Sequence, residues 1–161
     1  MSADGKPASR AQQTMHATCV DFNGHGVLIV GKSGMGKSDL ALRLIENNNN
    51  TSQKATLVSD DQVVLTSSND QLVASPPNSL EGLLEVRGVG LCRFDFTTRT
   101  TIKLLIKLGL DVETERLPDF STQKQKVAGV QIPYIVLNPF EASACLKVRQ
   151  ALKLLARSND D

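Results

Sequence analysis

The eight residues Gly31-Lys32-Ser33-Gly34-Met35-Gly36-Lys37-Ser38 constrain this chain more than any other stretch. They match the phosphate-binding pattern G-x-x-x-x-G-K-[ST] in full. The flanks agree with it: residues 26–30 read as a buried strand, and residues 39–46 as the start of a helix. Glycines let the main chain wrap closely around an anion so that its amides point inward. The helix N-terminus adds partial positive charge at the same place. Lys37 then reaches the β- and γ-phosphates of a nucleotide, and the Ser38 hydroxyl ligates Mg²⁺. A glycine turn that merely caps a helix is the weaker reading once strand and helix flank the motif. ATP and magnesium are the expected ligands.

Composition narrows the class. At 161 residues the chain is long enough for one domain with a sizeable core. Its formal charge of +1 carries no nucleic-acid footprint, and with no Trp and one Tyr it has few stacking platforms for single strands. No apolar run reaches membrane-spanning length, so no membrane partner is expected. Residues 1–14 are small and polar and read as a disordered arm, leaving residues 15–158 as the folded domain. Cys19, Cys92 and Cys145 are odd in number and far apart, without metal or redox spacing. They read as core or interface thiols of a reducing cytoplasm.

Along the chain, residues 16–22 form a β-rich run closed by the hairpin signal Asn23-Gly24. The partner strand feeds the phosphate loop, and the helix after it stops at the polar run 47–52. Residues 54–59 make a strand ending on Asp60-Asp61, followed by a hairpin with strands at 62–66 and 71–74. Residues 80–84 read as a short helical turn. Residues 85–90 are not expected to be regular, because Gly88 and Gly90 lie close together. In residues 102–108, Ile102, Leu104, Ile106 and Leu108 fall on one strand face while Lys alternates with Leu on the other. Residues 119–126 read as a mobile polar excursion, and residues 127–137, with Pro133 inside, as an edge strand. The last helix is expected to use Asn138 as N-cap with Pro139 and Glu141 behind it. Cys145, Val148, Leu152 and Leu155 form its buried stripe. Strands outnumber helices and several are hairpin-linked, so the fold class is α/β with a mixed sheet around the phosphate loop.

Phosphoryl transfer needs carboxylates for the metal and a group to deprotonate the acceptor. Asp60 and Asp61 end a strand beside the loop, where a magnesium-holding aspartate belongs. Adjacent residues on extended backbone point to opposite sides, so one can face the metal and the other the acceptor. The sequence leaves open which does which. An acidic opening to a β-turn is the competing reading.

Three motifs then carry a family resemblance. Residues 15–39 read M-H-A-T-C-V-D-F-N-G-H-G-V-L-I-V-G-K-S-G-M-G-K-S-D, residues 57–61 read L-V-S-D-D, and residues 84–91 read L-E-V-R-G-V-G-L. In this order they resemble the catalytic domain of HPr kinase/phosphorylase: the histidine-bearing strand with the phosphate loop, the Asp-Asp motif, and the signature E-x-R-G-x-G. With weaker matches between them they span about residues 15–135.

The resemblance implies a phosphoenolpyruvate carboxykinase-like domain, assembled as a hexamer, acting as an ATP- and Mg-dependent serine kinase on the phosphocarrier protein HPr. It implies that Lys37 binds phosphate and that Ser38 and Glu85 hold Mg²⁺. One of Asp60 and Asp61 takes the acceptor proton and the other supports the metal. Arg87 lies in the signature, Arg116 is similar to a catalytic arginine, and His16 matches an active-site histidine. The chain departs from the family in lacking a sizeable N-terminal domain. It also lacks the Pro- and Arg-rich loop of members that remove the phosphate, having Val136-Leu137-Asn138-Pro139-Phe140 instead. The kinase parts are present; the reverse phosphorolysis is without its loop. A small-molecule kinase on the same scaffold and a non-catalytic nucleotide sensor are the rivals.

Overall fold

A computed structural model describes residues 11–47, 53–78, 80–110 and 115–160. Residues 1–10 of the expected arm and most of the polar run at 47–52 lie outside these. The chain begins with β1 (Ala11–His16), β2 (Thr18–Phe22) and β3 (His25–Val30), then α1 (Lys37–Glu46) and β4 (Ala55–Ser59). β5 (Gln62–Ser68) and β6 (Gln71–Ser75) form a hairpin, as do β7 (Leu83–Val86) and β8 (Gly90–Arg93). β9 (Thr100–Leu108), β10 (Lys124–Val127), β11 (Val130–Leu137) and α2 (Ala144–Ser158) complete it.

Three hairpins turn through two residues that are both left-handed: Asn23-Gly24, Asn69-Asp70 and Ala128-Gly129. These are the turns whose twist matches that of paired strands. Asparagine, aspartate and glycine tolerate the conformation; Ala128, at φ 49°, does so under strain.

The main sheet runs β1-β5-β6-β9-β3-β2-β4. β9 pairs in parallel with β3 on one edge. Its other edge is shared, with β6 antiparallel at Thr100 and Thr101 and β11 parallel from Leu105 to Leu108. The sheet is therefore mixed, as expected. β3, β9 and β11 point the same way, and β4 joins them because it is antiparallel to β2, itself antiparallel to β3. All four carboxyl ends meet at one edge, which is where ligands sit in open α/β sheets.

Alternation splits the core into two layers. Val27 and Ile29 of β3, with Leu104 and Ile106 of β9, face α1 and α2 along with Leu40, Leu44, Val148 and Leu152. Leu28, Ile102 and Leu105 face the other way, against Val63, Leu65, Leu72 and Ile132. Ile102 thus leaves the face expected for it. The register jumps there, Gly26 opposite Ile102 but Val27 opposite Leu104, so Lys103 is an extra residue that flips the alternation. A Cβ at Gly26 would lie 2.8 Å from the Thr101 carbonyl oxygen, so the close approach at this bulge needs glycine.

Other expectations are corrected. Residues 11–14 are strand, not arm: β1 pairs with β5 from Ala11 to His16. The single strand expected over 16–22 is broken at Ala17, because the chain there changes partner from β5 to β3. Residues 83–93 form the β7–β8 hairpin, with Gly88 in its turn and Gly90 starting its second strand. Residues 124–127 are β10, paired with the first half of β11, so Pro133 sits inside a hairpin strand and at its end of the pairing. Helix α2 starts at Ala144 after Ser143, with no side-chain cap. Asn138 instead accepts the Phe140 N–H at 3.0 Å, closing a turn before the helix. Cys145, Val148 and Leu152 are buried on α2 as expected, and Leu155 packs partly against the same layer. Among the described residues no helix is long and apolar enough to cross a membrane.

Candidate active site

The phosphate loop joins β3 to α1, and its Gly34 (φ 80°) and Gly36 (φ 96°) hold left-handed backbone that other residues rarely adopt. Lys37 opens α1 and is 7% exposed. Its ammonium arcs back to donate to the carbonyls of Gly31 at 2.9 Å and Lys32 at 3.2 Å. The cation is thereby held over the cradle rather than in water. Met35 packs beside Gly31 and closes a turn onto the Lys32 carbonyl at 3.1 Å. Ser33, Gly34, Gly36 and Ser38 line the cleft above.

A corner in the sheet builds the acidic half. β2 pairs with β4 and β1 pairs with β5, so the breaks at Ala17 and at Asp60-Asp61 lie opposite each other. The Ala17 N–H donates to the Asp61 carbonyl at 3.1 Å and ties the two breaks together. Asp60 turns inward. Its Oδ1 accepts from Ser38 Oγ at 2.7 Å and Thr18 Oγ1 at 2.9 Å, and its Oδ2 accepts from the Glu85 N–H at 3.4 Å. Asp61 adopts φ 67° and turns outward, its Oδ1 lying 3.1 Å from His16 Nδ1. Asp61 and His16 are 69% and 54% exposed, so this pair stands at the open mouth.

The β7–β8 hairpin closes the third side. Leu84 anchors it in the helix-facing core, and Glu85, Val86 and Arg87 line the cleft. The space enclosed is about 420 Å³. The structure thus gathers His16, Lys37, Ser38, Asp61, Glu85 and Arg87 on one cleft, with Asp60 bonded beneath it. Arg116 is exposed and does not line this cleft. His25 sits at the opposite end of β3, its Nδ1 3.1 Å from the Phe22 carbonyl.

Thr18 and Phe140 are among the lining residues that sequence reading did not single out. Thr18 is fully buried and bonds across 42 positions to Asp60, a contact only strand pairing reveals. Phe140, read there as part of a helix start, reaches the cleft from the loop after β11. The donor set fits the expected ligands: main-chain amides with one lysine for phosphate, and hydroxyl and carboxylate oxygens for a hard cation. Among the described residues no three His, Cys, Asp or Glu gather into a metal cage. Mg²⁺ takes one or two carboxylates and fills its sphere with water and phosphate.

Comparison with known proteins gives the family. The family model "HPr Serine kinase C-terminal domain" matches residues 8–148. The HPr kinase/phosphorylase of Chlorobium phaeovibrioides is 35% identical over 138 residues, 80% of this chain and 40% of that protein. That of Geobacillus kaustophilus is 34% identical over 133 residues, 76% of this chain and 41% of that protein. The chain therefore spans about two fifths of the length of these curated relatives. The solved Hpr(Ser) kinase/phosphatase from Coxiella burnetii superposes with a TM-score of 0.73 at 25% identity, covering 92% of this chain and 99% of that one. The mixed α/β fold is shared with it, and the match over residues 8–148 settles that this chain belongs to the HPr serine kinase C-terminal domain family.

Proposed function

We propose that this chain is an ATP- and Mg-dependent serine kinase whose acceptor is HPr, working in the cytoplasm as a homo-oligomer, a hexamer by resemblance. The observation that carries the proposal is the split of the aspartate pair: Asp60 on the Ser38 hydroxyl of the phosphate loop, Asp61 on His16 at the open mouth. A partly buried carboxylate bonded to the loop serine suits a metal, and an exposed one suits an acceptor that arrives from outside.

Amides of residues 33–38 and the Lys37 ammonium would hold the triphosphate. Ser38, Asp60 and Glu85 would hold Mg²⁺, which when bound neutralises charge on the phosphate oxygens. His16 orients the Asp61 carboxylate. Asp61 takes the proton from the acceptor serine as its oxygen bonds to the transferred phosphorus and the bond to the departing diphosphate breaks. Arg87, in the hairpin turn at the cleft, spreads positive charge toward the equatorial oxygens. Arg116 lies off this cleft, so a part for it as a second arginine rests on the resemblance alone.

The exposure of Asp61 and His16 supports a protein acceptor over a small metabolite, because an enclosed pocket would serve a metabolite better. The test is Mg-ATP, the chain and HPr, followed by intact mass. One added phosphate on HPr, lost in Lys37→Ala and in the Asp60→Asn/Asp61→Asn double variant, is the expected result. ATP binding without transfer would make the protein a sensor; transfer to metabolites alone would make it a small-molecule kinase. Phosphorylated HPr with inorganic phosphate, read by pyrophosphate release, tests reversal, and little or none is expected.

A further inference from the structure

Phe140 is the one phenylalanine on the cleft, and it is 62% exposed there. Leaving so large an apolar ring in water forgoes the stabilisation that burial would give it. Its place is nevertheless fixed. Asn138 Oδ1 accepts its N–H at 3.0 Å. The Arg43 guanidinium, braced by Asp39 at 3.0 Å, donates to the carbonyl of Pro139 next to it. The ring meets the phosphate loop at its rim: a Cβ on Gly36 would lie 3.5 Å from Phe140 Cζ and 3.6 Å from Cε1. The rim therefore abuts the loop while most of the ring stays open to the cleft.

Topology says what passes there. Phe140 follows β11, which runs parallel to β9 and β3, so its loop stands at the carboxyl edge beside the phosphate loop. Phe140 lines the same cleft as the loop residues 33–38, so a nucleotide whose polyphosphate sat on that loop would have its base within reach of the ring. A purine is flat and weakly hydrated on its faces, and stacks on a phenyl ring. We infer that Phe140 is the platform for the purine base of the bound nucleotide. Arg43 and Asn138 are positioning residues that set its angle. The inference rests on the nucleotide-binding reading of the cleft.

Calorimetric titration with ATP and with inorganic tripolyphosphate, each with Mg²⁺, tests it. Phe140→Ala should weaken ATP by about five- to 150-fold, the range found when stacked aromatics are removed. Tripolyphosphate affinity should stay unchanged, since the loop is intact. Phe140→Trp should restore ATP binding. Because the chain has no other tryptophan, its emission should shift with ATP and not with tripolyphosphate. ATP binding by Phe140→Ala at wild-type strength would overturn the inference. So would an equal loss of both ligands, which would place the defect in the loop. Wild-type protein that binds both ligands equally sinks only the platform; wild-type protein that binds neither sinks the nucleotide reading with it.

Discussion

Asp60 and Asp61 are neighbours in sequence with separate partners, because the left-handed backbone of Asp61 turns it away from the loop. That geometry separates their expected defects. Asp60→Asn keeps an acceptor for Ser38 and Thr18 but removes the charge, so Mg-dependent ATP affinity should fall at least tenfold, a loss consistent with a charge-assisted contact. Asp61→Asn should bind ATP as the wild type does and transfer about 10²–10⁴-fold more slowly, the usual worth of a general base. Calorimetry beside initial rates on HPr reads both; identical defects in the two variants would contradict the division. The thiols give a second contrast. Burial pushes the Cys19 thiol far up, with the nearby Asp21 carboxylate adding to the effect, and burial also raises Cys145. A raised pKa means less thiolate at a given pH, and thiolate is the species that alkylates. At pH 8, iodoacetamide should therefore add once to native protein, at the partly exposed Cys92, and three times after unfolding, as counted by intact mass. Lys37 and Ser38 were singled out by the phosphate-loop pattern and Asp60 and Asp61 by their place at a strand end, whereas Glu85 came only with the family resemblance; the structure brings all five to or beneath one cleft. Thr18 and Phe140 were not legible in the sequence, since their relevance comes from pairing and packing across long separations.

At the scale of elements, the strand–loop–helix unit and the Asn23-Gly24 turn were readable because each is fixed by its own residues. The start of α2 was not. Asn138-Pro139 carries a sound capping signal, but β11 and the contact with Arg43 hold this segment as a turn, and the helix waits until Ala144. The break at Ala17 was equally hidden, because β propensity runs through it and only the exchange of neighbouring strands interrupts it. Glycine spacing argued against the β7–β8 hairpin, although a tight turn is where glycine belongs. Two glycine-related positions give tests. Ala128 adopts φ 49° beside Gly129, where alanine costs about 1 kcal/mol or more. Ala128→Asn should raise Tm by roughly 2–4 °C per kcal/mol recovered. Gly26→Ala should do the opposite. Its Cβ would meet the Thr101 carbonyl at 2.8 Å and Thr100 Cγ2 at 2.7 Å, and the carbonyl cannot retreat without opening the β3–β9 ladder. A loss of about 1–3 kcal/mol by denaturant titration is expected, the range for overpacked cores. An unchanged midpoint would mean that the bulge absorbs the methyl.

Across the whole molecule, the two halves of the cleft are tied at both ends. Near the cleft, Ser38 at the head of α1 bonds Asp60 at the tail of β4. At the far ends of the same two elements sits Arg149 of α2, which is 8% exposed. It donates to the Leu44 carbonyl near the end of α1 at 3.1 Å and to the Gln53 carbonyl just before β4 at 3.0 Å. Its guanidinium lies 5.0 Å from the centre of the Phe22 ring on β2. Burial lowers the Arg149 pKa from its ordinary value, so the charge is held against a desolvation cost that these contacts offset. One side chain thus couples the second helix to both elements that present the loop serine and the inner aspartate. A planar fork can serve two carbonyls and a ring at once, whereas an ammonium is a single point. Arg149→Met fills similar volume but leaves both carbonyls without that donor. It should cost about 2–5 kcal/mol and lower Tm by roughly 5–15 °C. Arg149→Lys should fall between Met and the wild type. If the clamp holds the halves in register, Arg149→Met at a temperature where it is still folded should also bind Mg-ATP several-fold more weakly than wild type. Leu152→Ala, a core truncation on the same helix with a comparable cost of about 2–5 kcal/mol, removes neither carbonyl contact and should leave that affinity alone. Thermal melts and calorimetry on the two variants decide it: equal Mg-ATP affinity in both, despite matched losses of Tm, would reduce Arg149 to an ordinary buried side chain.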